Sequence, residues 1–181
     1  DRDVVNNVLV RRALTLAIDR KQITDQITRA GETPATGYLP VSTEKTDGSS
    51  YRTLDSHGLP EPEYGIIPDA ADVETAQKLL AEAGYPNGEG FPELELLYYT
   101  GESDKIQQMW KDNLNIEVKL RNEDKNVALQ TKRDGKFDIS LSAWTAGYYD
   151  ASQMFKQFQL NAGSMSQWRY AEDASAPHDH T

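Results

Sequence analysis

Three short apolar runs constrain this 181-residue chain more than any other feature. Residues 93–99 read "ELELLYY", residues 116–120 "IEVKL" and residues 137–144 "FDISLSAW". In each run apolar side chains alternate: Leu94, Leu96 and Tyr98, then Ile116, Val118 and Leu120, then Phe137, Ile139, Leu141 and Ala143. A period of two is what a strand with a covered face requires. Between the runs the spacing changes. "DKIQQMWKDNL" gathers Ile106, Met109 and Trp110 on one side of a helix, and residues 123–133 also read as helix. Strands separated by helices predict an α/β domain, with an α+β tendency, on a partly parallel sheet.

The flanking sequence adds helices with clear starts. Leu9, Val10, Ala13, Leu14, Leu16 and Ala17 form a broad apolar helical face. Asp19 suits the N-cap of a second helix, with Gln22 at the reciprocal capping-box position. Ile23 and Ile27 continue an apolar stripe, and Gly31 is placed as its left-handed C-terminal cap. In "DVETAQKLLAEAGYP", Asp72 is an N-cap, Ala76, Leu79, Leu80 and Ala83 share a face, and Gly84 and Pro86 stop the helix. Asp150 suits the cap of a last helix carrying Met154, Phe155 and Phe158. Residues 32–68 differ in texture. They are rich in Pro, Gly, Ser and Asp and predict a long surface excursion, which either wraps its own lobe or carries function.

Composition narrows the functions. The formal charge is −10 and the pI about 4.7, a poor match to phosphate backbones or an anionic membrane surface. There is no cysteine, which removes disulfides and thiolate chemistry and suits an exported protein. No apolar run is long enough for a membrane helix. The chain has neither a signal-like segment nor an initiator Met, so it is expected to start after processing or at a boundary within a longer protein. "GYPNGEGFP" is glycine-rich, but no strand precedes it and no helix opens on it, so it is no phosphate loop. The histidines are His57 in the excursion and His178 and His180 in the "HDH" tail, where two ligands on a floppy segment make a poor metal site. No serine is marked as a partner for His57, and no spacing singles out a catalytic carboxylate pair. The chain is expected to be no enzyme and to need no cofactor or metal.

A set of words then appears in order: "VRRALTLAIDRKQI", "TPATGYLP", "ADVETAQKLLAEAGYPNGEGFPELELLYYT", "IQQMWKDNLNIEVKL" and "GKFDISLSAWTAGYYDASQMF". From about residue 8 to residue 160 the chain resembles the second, C-terminal lobe of the extracytoplasmic peptide-binding proteins of ABC importers, the oligopeptide and dipeptide type. The resemblance implies one lobe of a two-lobed, periplasmic-binding-protein-like clamp that closes on an extended peptide by hinge motion. It implies residues 1–170 as a single ligand-binding lobe, with 171–181 a flexible tail. The partners it implies are a peptide, a missing first lobe, and an ABC permease. The location is extracytoplasmic, in the periplasm or as a cell-surface lipoprotein.

The same resemblance implies a site and flags departures from it. Family members commonly read Trp-x-x-Asp-Tyr after the third strand, the Asp pairing with the peptide's α-ammonium. Here the words are Trp144, Thr145, Ala146, Gly147 and Tyr148, so Gly147 stands where the acid belongs. Asp150 could substitute from three residues on, although its first expected role is the helix cap. Trp144, Tyr148 and Tyr149 fall where the family lines its cleft; Trp144 could equally be a core aromatic at a strand end. Lys125 replaces a usual aromatic, "NLGI" becomes "NLNI", and the helix before it is about two turns shorter, which should lose core contacts. Trp110 and Trp168 read as packing residues, and Lys132 with Arg133 as a solvated pair rather than partners of a ligand carboxylate. The competing reading is a degenerate or repurposed lobe that binds a protein partner through the old cleft face.

Overall fold

A computed structural model describes residues 2–40, 42–56, 61–143 and 150–155. It opens with α1 (Arg2–Asn6), α2 (Val8–Leu16) and α3 (Arg20–Gln22), the last running into a π-helix over Ile23–Thr28. After the excursion come α4 (Val73–Glu82), a 3-10 turn (Pro86–Gly88), β1 (Leu94–Tyr98), α5 (Ser103–Leu114), β2 (Val118–Asn122), α6 (Lys125–Arg133), β3 (Ile139–Ser140) and α7 (Ala151–Phe155). The fold is α/β, with a sheet in the order β2-β1-β3. Both pairings are parallel, Leu94 facing Val118 and Leu96 facing Ile139.

Parallel neighbours need crossovers, and α5 and α6 supply them. The steps run in opposite directions: β1 to β2 one way, then β2 past β1 to β3. Right-handed crossovers therefore put the two helices on opposite faces. Burial agrees. Leu94 and Leu96 join one core with Trp110 and Leu114 of α5, Val10 and Leu14 of α2, and Leu79 and Leu80 of α4. Leu97, on the other face by alternation, is fully buried outside that core, as is Ala128 of α6. The sequence pattern expected Tyr98 to continue the inner row, yet Tyr98 is only half-buried while Leu97 is closed off. A sheet covered on both sides needs no strict alternation.

The caps are local and as expected. The Asp19 carboxylate accepts from Gln22 N at 2.8 Å, and Asp72 from Thr75 N at 3.1 Å. The end of α2 is settled from afar. A helix leaves its last carbonyls without internal partners. Here Leu14 O accepts from Trp110 Nε1 at 2.8 Å, Thr15 O from Arg20 at 3.0 Å, Leu16 O from the Asp72 amide at 2.9 Å and Ala17 O from Asn113 Nδ2 at 2.8 Å. Trp110 thus both packs and donates.

Three expectations shift. The left-handed cap falls on Arg29 (φ 52°), not on Gly31, because Arg29 N bonds back five residues to Thr24 O in a wider turn. Ile23 and Ile27 are only half-buried. The third strand is two residues long rather than spanning Phe137 to Ala143; at its start the Asp138 side chain accepts the Glu95 amide at 3.0 Å, in place of a backbone carbonyl. Asn115 of "NLNI" sits at φ 54° as the C-cap of α5, a conformation Asn tolerates better than most residues. Its side chain also donates to Asn87 O at 3.0 Å. Phe158, Trp168, the histidines and residues 171–181 lie outside the described residues.

The excursion forms no helix or strand among its described residues beyond a single bridge, Glu44 to Ser50. Arg52 organises it. Its side chain is 4% exposed and lies 2.7 Å from Glu63 Oε1; it donates to Leu39 O at 3.0 Å, Glu61 O at 2.7 Å and Thr36 Oγ1 at 3.2 Å.

Candidate ligand-binding site

In an open parallel sheet, ligands bind beyond the C-terminal ends of the strands, where neighbouring connections leave in opposite directions. That point here is between β1 and β3. The chain leaves β1 toward β2, and β3 is reached from the other face through α6. The two exits touch. Leu141 N donates to Leu97 O at 2.9 Å, extending the ladder one residue past β3. Gly101, in the turn after β1, has φ +96°, and a Cβ there would come within 3.0 Å of the Leu141 side chain.

Lys132 delivers a charge to this edge. It lies in the last turn of α6, is 4% exposed, and donates from Nζ to Ser142 Oγ at 2.9 Å. Burial lowers its pKa, since desolvation disfavours the ammonium. This corrects the reading of Lys132 and Arg133 as a solvated pair: Arg133 is exposed, but Lys132 is not. A sequence signal existed, because Lys132 is four residues from the buried Ala128 and so shares its helix face. Lys125, the first residue of α6, is exposed.

Of the expected site residues, Trp144, Gly147, Tyr148 and Tyr149 lie outside the described residues. Asp150 is described. Its carboxylate accepts from Ser152 N at 2.8 Å, the bond of a helix cap, at the exposed start of α7. Sequence reasoning missed Tyr38, which reaches α7 from the excursion. Its hydroxyl donates to Met154 O at 2.8 Å, and nothing local to either segment signals the contact. Among the described residues no group of His, Asp and Glu is arranged to hold a metal ion.

The described residues thus combine a parallel sheet covered on both faces with a switch point that has a buried lysine beside it. The chain belongs to the bacterial extracellular solute-binding proteins, family 5, whose model of the middle region matches residues 1–166. It is 33% identical over 174 residues to the periplasmic oligopeptide-binding protein OppA of Escherichia coli K12, a match covering 93% of this chain and 30% of that protein. A periplasmic oligopeptide-binding protein of Borrelia burgdorferi, OppAIV, superposes with a TM-score of 0.73 at 33% identity, over 92% of this chain and 31% of that one. Haemophilus influenzae OppA, solved with the peptide RPPGFSPFR, superposes with a TM-score of 0.68 at 32% identity, over 90% of this chain and 31% of that one. These relatives are solute-binding proteins, not enzymes. The chain spans less than a third of the length of the curated relatives it matches.

Proposed function

We propose that this chain is the ligand-facing lobe of a peptide-import receptor. In this reading it holds an extended peptide against the C-terminal edge of the sheet while a first lobe closes from the other side, and the loaded clamp delivers its cargo to an ABC permease. The observation that carries the reading is the β1/β3 switch point with Lys132 Nζ bound to Ser142 beside it. A buried ammonium there would attract a peptide carboxylate or backbone carbonyl. Trp144, Tyr148 and Tyr149 follow β3 in sequence and are proposed to line the cleft, with Gly147 leaving room where the family carries an acid and Asp150 facing the peptide's ammonium. The proposed location is extracytoplasmic, in the periplasm or as a surface-anchored lipoprotein. Among the described residues no helix is long and apolar enough to cross a membrane.

The test is thermal melting with a pool of short peptides, first on this chain and then on the chain joined to its flanking sequence. A ligand at one hundred times its Kd stabilises the native state by about 2.7 kcal/mol. The expected result is a higher midpoint, larger when the first lobe is present. No shift in either form overturns peptide binding and favours a lobe repurposed for a protein partner.

A further inference from the structure

A motif that ligand binding leaves without a role is "GYPNGEGFP", residues 84–92. It folds as the 3-10 turn Pro86–Gly88 and a loop closed by an edge-to-face contact between Tyr85 and Phe91, ring centres 5.1 Å apart. Asn87 stands exposed at its tip, with φ 53° and ψ 24°, and Gly88 follows at φ 76°. Asparagine before glycine has a chemistry of its own: the next backbone nitrogen attacks the side-chain amide carbon, and glycine has no Cβ to hinder the approach. The Gly88 nitrogen loses its proton and bonds to Asn87 Cγ, the Cγ–Nδ2 bond breaks, and ammonia departs to leave a succinimide. Water then opens the ring. Attack at Cγ gives aspartate; attack at the backbone carbonyl gives isoaspartate, with the main chain rerouted through the side chain.

The native turn resists this step. At ψ 24° the Gly88 nitrogen lies nearly opposite the Asn87 Cβ across the Cα–C bond, away from Cγ. Its N–H already donates to Tyr85 O at 3.0 Å. Asn87 O accepts from Nδ2 of Asn115, the C-cap of α5, at 3.0 Å. Gly88 is wedged against the same helix end, where a Cβ would come 2.5 Å from Asn115 O and 2.6 Å from Leu114 O. Turning Asn87 far enough about ψ for ring closure moves Gly88 and lifts the loop off α5. We propose that Asn87 is a deamidation site held slow by the docking of its loop on the end of α5, with Asn115 as the clasp. Its rate is then the rate of the free sequence multiplied by the fraction of time the loop stands open. Isoaspartate adds a backbone carbon where Gly88 has no room, so the isomerised loop stays off α5. The proposal is independent of the peptide-binding reading.

The test is peptide mapping by mass spectrometry after incubation at mildly alkaline pH. It compares the folded chain, the chain unfolded in urea and a synthetic peptide of residues 84–92. The peptide and the unfolded chain should convert Asn87 to aspartate and isoaspartate at similar rates. The folded chain should be slower by about tenfold or more, as a loop that is closed most of the time implies. Asn115→Gly keeps the left-handed cap and loses the clasp, and should quicken conversion in the folded chain about fivefold, as loss of one hydrogen bond implies. Asn115→Asp keeps the shape and removes the donor, and should move the rate in the same direction. Neither variant should change the rate in urea. A folded chain that converts as fast as the peptide overturns docking as the brake. Unchanged folded-state rates in both variants overturn the clasp. No conversion at Asn87 in the peptide or the unfolded chain overturns the site itself.

Discussion

The sheet body, residues 72–143, and the excursion, residues 32–68, are held together by different physics. In the body the closed-off side chains are mostly apolar: Leu80, Leu94, Leu96, Leu97, Leu114, Ile116 and Val118. In the excursion the buried side chains are Thr36, Thr43 and Arg52, with Ile66 the apolar one among the described residues. Apolar burial is non-directional and spread over many contacts, so no single residue of the body is the sole source of its order. A polar hub is directional. Arg52 serves Leu39, Thr36, Glu61 and Glu63 together, and removing it strands several partners at once. The difference teaches that irregular backbone can be specified closely without a core of its own, provided one side chain satisfies many groups.

The largest expected effect breaks the body. Leu96→Ala should cost about 2–5 kcal/mol, the usual range for a cavity at a buried leucine, seen as a lower urea midpoint for the whole chain. The next separates the two regions. Arg52→Met should cost the excursion about 2–3 kcal/mol of local stability, because Glu63 and the carbonyls lose their partner. Limited proteolysis and amide exchange within residues 36–63 would report it, while the body's transition stays nearly in place. A matching fall in the body's transition would show that the regions are one cooperative unit. Asp72→Ala sharpens the comparison at the junction, where a lost N-cap of α4 should cost about 1 kcal/mol in the body's transition. It leaves the Asp72 amide on Leu16 O, so α2 keeps its carbonyl partner.

The smallest change is in pH dependence. Burial holds the Lys132 pKa below its ordinary 10.5. Between that lowered value and 10.5 the unfolded chain binds the additional proton, so this group makes stability rise with pH across the window. Below the window the cost of burying the charge is fully present. Lys132→Met should remove the rise, seen as a flatter plot of urea midpoint against pH on the alkaline side. A slope that is unchanged would show that Lys132 is not desolvated.

Legibility followed the range of the interaction. Asp19 and Asp72 were readable as caps because the donor lies three residues away in each case. The helices over residues 73–82 and 103–114 were readable from the spacing of their apolar residues, which an amphipathic face must obey. The third strand was overextended, since alternation cannot tell that the Asp138 side chain will take a ladder position. Lys132 was misjudged because charge argues for solvent, and a partner beyond β3, Ser142, helps make its burial tolerable. Tyr38 left no trace at all in its local sequence.

By itself the sequence determined the alternation of strands and helices, the starts of the helices and the family, because each rests on residues within a turn or two of one another or on words kept in order. Only the tertiary structure decided the order β2-β1-β3, the burial of Lys132, the partners of the α2 carbonyls and the grip of Tyr38 on α7. These are hydrogen bonds and contacts between elements, up to 116 residues apart, and their partners become neighbours only once crossovers and packing have brought them together.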